Sequence, residues 1–317
     1  MIRYTPKLFT ACLAVFILVT PAPPQAPVKI PVSQSLQALV DETARTTLAK
    51  FAEKKLEEKQ LAITLINLRD ATHPTMASFR GNERIYPASV VKLFFLVAVH
   101  RWLEDKKIEN TAELRRALKD MIVDSSNEAT HYIVDVVTHT TGGYELPAKE
   151  MKEWQHKRDA VNRYFSSLGY TNINVNQKTH CEDAYGRERV SREPDGANRN
   201  KLTTDATARL MMEVATLKAV TAERSSQMME LLKRDPTRKT SDTDSQDSGF
   251  SGSALTPGTK YWAKAGWTST TRHDATYIEL PSGEKFVLVV FTEGHANERD
   301  IIPTVARSVS DGIKNVK

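Results

Sequence analysis

Strand-like and helix-like segments are distributed unevenly along this chain, and their order restricts the fold. Short apolar runs typical of strands occur at residues 61–66 and 77–80, then again at 261–267, 275–280 and 285–292. A long stretch with helical patterns separates the two groups. Because the backbone groups of a strand must pair with those of another strand, the chain ends are expected to meet in one sheet. The sequence therefore predicts an α/β (α+β) fold, with an antiparallel sheet built from both chain ends and flanked by helices.

The same order predicts two lobes. About residues 32–105 and 259–317 form an α/β lobe that holds the sheet. About residues 106–258 form an all-helical lobe. Residues 32–317 are thus expected to be one domain, because the strands of the first lobe can pair only when the helical lobe is folded between them.

Local patterns inside the helical lobe give further predictions. Residues 146–168 are typical of one helical segment, and Asn110, with a glutamate three positions later, predicts a capped helix start. Residues 170–202 are rich in Asn, Arg, Glu and Gly and predict a long irregular excursion, a kind of loop that is often functional. Residues 234–258 are rich in Ser and Asp and predict a mobile surface connection.

Residues 1–31 are predicted to be a signal peptide or N-terminal anchor with a proline-rich linker. Arg3 and Lys7 supply a positive start, and the apolar run at 8–19 is short for a membrane-spanning helix. The alanines at the candidate cleavage sites are followed by proline, so an uncleaved anchor stays open. We expect an exported protein, periplasmic or extracellular, which contacts a membrane only through such an anchor.

Charge and cysteine content narrow the possible partners. The net charge of +5 comes from 44 basic and 39 acidic residues spread along the chain, and no basic run is interleaved with aromatic residues. We therefore expect no nucleic-acid partner. Cys12 lies in the apolar run near the N-terminus, which leaves Cys181 without a second cysteine for an internal disulfide after export.

Ser89 and Lys92 could form a catalytic pair. They lie three residues apart at the predicted start of an apolar helix, which places a hydroxyl and an amine on one helical face. A serine becomes a good nucleophile when a neighbouring base removes its proton, and a buried lysine can be that base. The spacing alone is weak evidence, because Ser282 and Lys285 also have it on a hairpin turn. A helix cap is the alternative interpretation of Ser89.

Two further motifs strengthen the catalytic interpretation. Ser125 and Asn127 lie between two predicted helices, where a hydroxyl could relay a proton and an amide could bind a substrate carbonyl. Lys264 and Gly266 lie on a predicted strand, where an ammonium could attract a carboxylate and a glycine allows close backbone approach. The backbone N–H of Trp267 would be an oxyanion donor. A helix cap at Ser125 and a solvated Lys264 are the alternatives.

The ordered motifs S-x-x-K, S-x-N and K-x-G resemble those of the class A β-lactamases and of the transpeptidase and carboxypeptidase penicillin-binding proteins. The resemblance covers about residues 33–317 and implies a β-lactamase/transpeptidase-like fold with no metal and no cofactor. It also implies a role for each matching residue: Ser89 as acylated nucleophile, Lys92 as base, Ser125 as proton relay, Asn127 as substrate contact, Lys264 and Gly266 along the opposite edge of the cleft, and the N–H groups of Ser89 and Trp267 as oxyanion hole.

The chain also departs from that family pattern. Ser126 stands where class A enzymes have Asp, and Ala265 replaces the usual Thr or Ser, which removes a hydroxyl beside the carboxylate site. No E-x-x-L-N motif occurs to supply the glutamate that activates the deacylating water. Glu193 is our candidate for that role and Glu188 the lesser one, while a solvated loop residue is the alternative for both.

Two other groups of polar residues are weaker candidates for a functional site. His180, Cys181, Glu182 and Asp183 are adjacent, but their spacing matches no zinc motif, so we predict no metal. Arg272, shortly after Lys264, could reach the cleft and assist a substrate carboxylate. His273 is not expected to serve in a Ser-His-Asp triad, because the chain contains no G-x-S-x-G motif.

These features predict a serine hydrolase that opens the amide of β-lactams through an acyl-enzyme on Ser89. A D,D-peptidase or amidase acting on cell-wall peptides is the alternative, favoured by Ser126 and Ala265. A penicillin-binding sensor domain that is acylated but not turned over is a third possibility. In each case the expected partner is a small β-lactam or a cell-wall peptide, and we expect a monomer.

Overall fold

The computed structural model describes residues 29–179 and 183–316. Their strands form one six-stranded antiparallel sheet with the order β2-β1-β6-β5-β4-β3. The strands are β1 (Leu61–Asn67), β2 (Thr75–Phe79), β3 (Lys233–Arg234), β4 (Lys260–Trp267), β5 (Thr271–Glu279) and β6 (Lys285–Glu293). Because β1 pairs with β6 along its whole length, the two ends of the chain share the sheet. The predicted fold class is confirmed.

The described helices surround this sheet and fill the middle of the chain. They are α1 (Gln34–Lys50), α2 (Val91–Glu104), α3 (Ala112–Ile122), α4 (Asn127–Thr138), α5 (Ala148–Arg158), α6 (Ala160–Ser167), α7 (Gly186–Arg192), α8 (Thr204–Ala215), α9 (Ala222–Leu232) and α10 (Ile301–Gly312). Among the described residues, no helix is both long and apolar enough to cross a bilayer. The predicted signal or anchor falls almost wholly in residues 1–28, outside the described residues.

The sheet is buried on both faces, which explains why its strands are nearly continuous apolar runs. Along β6, Val287 and Val289 belong to the apolar core that contains α2 and α8. The alternate residues Leu288 and Val290 belong to a second core with α1 and α10. Successive side chains of a strand point to opposite faces of the sheet. Because both faces are covered here, neither set of side chains is exposed to water, and the strands do not need the usual alternation of apolar and polar residues.

Helix α2 carries the first candidate residues, and its position in the fold follows from its sequence. Ten of its 14 residues are apolar, and 12 of the 14 are buried. A helix without a polar face is stable only in the interior. The core therefore holds the start of α2 firmly between the sheet and the helical lobe.

Two local predictions in the helical lobe are wrong. Helix α3 is capped by Thr111, whose hydroxyl accepts from Leu114 N at 3.1 Å, and the carbonyl of Asn110 accepts instead from Arg115. The helical segment at 146–168 is interrupted at Asp159, where α5 ends and α6 begins. The carboxylate of Asp159 accepts from Asn176 at 2.7 Å, so a contact with a distant loop accompanies the break.

The prediction that residues 234–258 are a surface connection is wrong for part of the segment, although residues 237–243 are exposed. Arg234, Gln246 and Phe250 in this segment are all buried. Arg234 begins the segment within β3, and residues Phe250–Ala254 form a short 3-10 helix that packs in the second core. Polar composition indicated a solvated loop, but the segment folds inward against β4.

Candidate active site

Ser89 lies in a short helical turn, Ala88–Val90, that leads directly into α2. The turn is closed by the N–H of Val90, which donates to the carbonyl of Pro87 at 3.0 Å. Ala88 has a φ of 45°, in the left-handed region that costs a non-glycine residue free energy. The half-buried Ser89 thus follows a strained residue at the mouth of a buried helix, a setting common at functional sites.

His273 holds this turn in place and does not face it as a base. Its Nδ1 accepts from the backbone N–H of Thr292 at 3.1 Å, so the proton is on Nε2, which donates to the carbonyl of Tyr86 at 2.9 Å. Burial lowers the pKa of His273 to about 4. A neutral imidazole with both nitrogens bonded to backbone is a structural link between β5 and the turn before Ser89.

Lys92 brings three of the candidate residues together. Its buried Nζ contacts the carbonyl of Ser125 at 2.5 Å, the Ser125 Oγ at 3.2 Å and the Asn127 Oδ1 at 2.9 Å. The two motifs are more than thirty residues apart in sequence, yet they meet because α2 and α4 pack side by side in the helical lobe. An amine, a hydroxyl and an amide are therefore in contact beside the start of α2.

Ser125 occupies the corner between α3 and α4 in an unusual conformation. Its φ of 57° is left-handed, and the next residue, Ser126, caps α4 by accepting from Ala129 N at 3.0 Å. The Ser125 Oγ accepts from Lys92 on one side and from Lys264 Nζ at 3.1 Å on the other. Because a hydroxyl oxygen has two lone pairs, these two donors leave its own proton to point elsewhere. Ser125 is thus arranged to donate a proton, and the interpretation of Ser125 as the cap residue is wrong.

Lys264 is fully buried on β4, so the interpretation of it as a solvated lysine is wrong. Its Nζ donates to Ser125 Oγ, to the Gln246 Oε1 at 2.7 Å and to the carbonyl of Ala265 at 2.7 Å. Burial, and then the positive charge of Lys92, lower the pKa of Lys264 well below its usual range. The charged form of Lys264 is therefore costly in this site, and an anionic group of a ligand beside it would favour that form.

Gly266 allows β4 to lie against the nucleophile turn. A Cβ placed on Gly266 would be 2.6 Å from the backbone nitrogen of Ser89, 2.8 Å from that of Val90 and 3.0 Å from the carbonyl of Pro87. Such distances are impossible for a real side chain beside rigid backbone. The sequence predicted that the backbone at Gly266 approaches a substrate, whereas the neighbour that the structure shows at the missing Cβ is the turn that carries Ser89.

Sequence reasoning missed Gln246 and Arg234. The Gln246 Nε2 donates to the carbonyls of Ile122 and Val123 at 3.2 and 3.0 Å, while its Oε1 accepts from Lys264 Nζ and from Ala265 N. Arg234 also donates to the carbonyl of Ile122, at 2.8 Å. Both residues lie in or beside a stretch of polar composition, and nothing in their local sequence distinguishes them from solvated residues.

Arg272 lies opposite Trp267 in the β4–β5 register, and its guanidinium is already partnered. It donates to Asp244 at 2.6 Å and stacks on Phe250, with its Cζ 3.8 Å from the ring centroid. Phe250 in turn packs against the half-exposed Trp267, with ring centroids 5.7 Å apart. Asp244, Gln246 and Trp267 line one open groove at this end of β4.

The two glutamates considered for water activation differ in their surroundings. Glu193 is exposed at the end of α7, with a left-handed φ of 62°. Glu188 is buried on α7, where its carboxylate accepts from Arg158 at 2.8 Å and forms an ion pair with Lys178 at 3.3 Å. Among the described contacts, neither carboxylate bonds to the lysines or serines of the site.

The described residues contain no group of three or more His, Cys, Asp or Glu side chains arranged to bind a metal ion. Of the polar group considered from sequence, His180, Cys181 and Glu182 lie outside the described residues. Asp183 is described and is exposed.

The arrangement as a whole is suited to acyl transfer. A serine sits at a helix start, two buried lysines converge on a second serine, and the backbone of a strand lies against the first serine. Such a site offers a nucleophile, a proton acceptor, a proton donor and a positive field for an anion. Each chemical role falls on a residue of a different element, held there by the core.

Comparisons with known proteins bear on the family and the fold of the chain. A model of the beta-lactamase enzyme family matches residues 43–313. The β-lactamase of Sphaerobacter thermophilus has the same fold, with 19% identity, a TM-score of 0.64, and coverage of 87% of this chain and 98% of that one. The β-lactamase of Chitinophaga pinensis is similar at 15% identity and a TM-score of 0.62, covering 86% and 99%.

A penicillin-binding protein has the same fold at a comparable distance. A mutant of PBP-A, captured as an acyl-enzyme complex with penicillin G, is 17% identical with a TM-score of 0.63, covering 90% of this chain and 99% of that one. No curated protein matches the chain significantly in sequence. At such low identities the structural similarity shows the fold.

Proposed function

The chain belongs to the beta-lactamase enzyme family, and we propose that it hydrolyses the amide of β-lactams through an acyl-enzyme on Ser89. The observation that carries the proposal is the convergence of Lys92 and Lys264 on the hydroxyl of Ser125. A structural lysine is rarely buried, and two buried within reach of one hydroxyl need a reason beyond stability.

We infer the acylation step from the roles that the family resemblance implies for these residues. Ser89 Oγ attacks the lactam carbonyl while its proton passes to the amine of Lys92. The backbone N–H groups of Ser89 and Trp267 stabilise the oxyanion. As the C–N bond breaks, Ser125 gives its proton to the lactam nitrogen and is reprotonated from Lys92. Asn127 binds an acyl-side carbonyl, and Lys264 attracts the substrate carboxylate.

Deacylation needs a base that activates water, and Glu193 stays our candidate from the sequence. Its exposed position at the end of α7 gives its carboxylate access to water. In Glu193→Gln, a Ser89 adduct that forms normally but persists at least tenfold longer would support this role. Unchanged turnover would remove Glu193 from the mechanism.

A D,D-peptidase acting on cell-wall peptides is the second candidate, and the similarity to PBP-A favours it. Both reactions begin with attack on an amide by a serine and release of its nitrogen. They differ in whether water removes the acyl group quickly from a lactam adduct. The chemistry of acylation is therefore common to both candidates, and deacylation separates them.

The test combines turnover and covalent labelling. Purified protein is mixed with a chromogenic cephalosporin and, separately, with a fluorescent penicillin, and intact-mass spectrometry locates the adduct. Steady turnover supports the β-lactamase. A burst followed by a stable adduct supports the peptidase or the acylated sensor, and release of D-alanine from a peptide then separates these two. If wild type and Ser89→Ala are equally unlabelled, the serine-hydrolase proposal fails.

Two further points stay proposals from the sequence. We propose that the protein is exported to the periplasm or the extracellular space, because residues 1–31 have the pattern of a signal or anchor. We also propose that it acts as a monomer. Fractionation of the producing cells and light scattering of the purified protein test these two proposals.

A further inference from the structure

Gln246 joins the two halves of the site through one buried amide. Its NH₂ group donates to the carbonyls of Ile122 and Val123, at the end of α3 just before Ser125. Its oxygen accepts from the Lys264 Nζ at 2.7 Å and from Ala265 N at 3.0 Å. All four bonds fix Lys264 relative to the corner that carries Ser125.

The described hydrogen-bond acceptors of Lys264 are neutral oxygen atoms. Its three hydrogen bonds go to an amide oxygen, a carbonyl and a hydroxyl, and no carboxylate of the described residues forms an ion pair with its Nζ. The charged groups that influence it are Lys92 on α2, Arg234 on β3 and Asp274 on β5. The Oδ2 of Asp274 accepts from Ser251 N and Tyr261 OH, and neither oxygen of this carboxylate forms a described hydrogen bond with Lys264.

We propose that Gln246 is a specificity-determining residue, which anchors Lys264 by a neutral oxygen so that its charge acts on an anionic group of the substrate. This inference rests on the function proposed above. A glutamate has the same shape and could still bind Lys264 through one oxygen, but its charge would neutralise that of Lys264, and its second oxygen would lose the two bonds to the carbonyls of Ile122 and Val123. The amide of Gln246 thus lies where a counter-ion of Lys264 would lie, but it carries no negative charge.

The experiment compares a substrate with and without its anion. Benzylpenicillin carries a carboxylate beside the lactam nitrogen, and its methyl ester does not. We measure the acylation rate constant, kcat/KM or its single-turnover equivalent, for both compounds in wild type and in Gln246→Glu. We expect the acid-to-ester ratio to fall by about tenfold or more in Gln246→Glu, mainly through a higher KM for the acid. An unchanged ratio would overturn the inference.

Ratios within one variant cancel general losses of activity, because both compounds use the same Ser89. Gln227→Glu is the matched control, since it makes the same chemical change on the exposed face of α9 and should leave the ratio unchanged. If wild type reacts with neither compound, the proposed function fails, and that result differs from an unchanged ratio.

A second variant keeps the test decisive if Gln246→Glu does not fold. Gln246→Met has a similar length and no charge, but it removes the acceptor of Lys264 and Ala265 N. We expect acylation by the acid to fall by about tenfold, with a clearly smaller loss for the ester, because Lys264 loses the acceptor that positions its charge. Wild-type rates for both compounds in Gln246→Met would also overturn the inference.

Discussion

Ser125 shows most directly how one residue acquires a role from its surroundings. Its left-handed backbone turns the side chain out of the α3–α4 corner, and two buried lysines then donate to its oxygen. Ser126 meanwhile takes the ordinary task of capping α4. The Asp found at this position in class A enzymes is therefore not needed to start α4. Adjacent serines thus divide a chemical role and a structural role.

Gly266 supports a prediction at the same scale. In Gly266→Ala the new methyl group would overlap the backbone of Ser89 and Val90, so β4 and the nucleophile turn must separate. We expect acylation to slow by about 100-fold or more, because small displacements of reacting groups cost large factors in rate. Stopped-flow labelling with fluorescent penicillin measures this rate.

Gly142→Ala is the matched control. A Cβ on Gly142 would have ordinary contacts of 3.6 Å or more, so acylation should proceed at the wild-type rate. Equal rates for the two variants would show that the approach of β4 to Ser89 is not required for acylation.

At the scale of elements, a buried ionic network fastens α7 and the preceding loop to α4 and α5. Arg158 and Lys178 alternate with Asp135 and Glu188, at distances of 2.7 to 3.3 Å. Arg158 is wholly buried and also stacks on Trp154. The irregular segment at 170–202 is thus held by charges on three helices.

Glu188→Ala tests the strength of that network. The substitution leaves two cations against the single carboxylate of Asp135, and an unpaired buried charge is costly. We expect the free energy of unfolding to fall by about 3 to 5 kcal/mol in urea titrations. Glu145→Ala breaks an exposed ion pair with Arg189 and should cost less than about 1 kcal/mol. Similar losses in both variants would contradict a structural network.

At the scale of the whole molecule, two buried histidines make stability depend on pH. Burial lowers the pKa of His100 and of His273 to about 4, from 6.5 in an exposed chain. Between these values the unfolded chain binds more protons than the folded protein, so the free energy of unfolding decreases as pH falls. We expect Tm to drop steadily between pH 6.5 and 4, by an amount corresponding to about 1 to 3 kcal/mol per histidine.

His100→Leu isolates one of the two contributions. Both imidazole nitrogens of His100 are buried and bond to none of the described residues, so leucine also removes a desolvation cost. We expect the Tm of His100→Leu to drop less between pH 6.5 and 4, and its free energy of unfolding at pH 7 to be higher by about 1 kcal/mol. His156→Leu, at an exposed position of α5, should change neither. If Tm falls between pH 6.5 and 4 as much in His100→Leu as in the wild type, His100 does not contribute to the pH dependence.

The sequence by itself determined the architecture and the local motifs. The apolar runs at both chain ends required one shared sheet, and the largely apolar helix after Ser89 required burial. Both features follow from the removal of apolar side chains from water. The spacing of Ser89 and Lys92 predicted one helical turn between them, since both lie in the continuous run from the turn Ala88–Val90 into α2. Helix α4 was an equally local feature, although its cap is Ser126 and not the Ser125 that the sequence offered.

Only the tertiary structure decided which distant residues complete the site. Gln246 bonds to Lys264 and to Val123, and His273 bonds to Tyr86, across separations that no local pattern encodes. The segment that contains Gln246 has the composition of a solvated loop. The segment is nevertheless buried at Gln246, because the amide of this residue forms hydrogen bonds with backbone groups of α3 and β4. Those groups lie close together only when the sheet and the helical lobe pack.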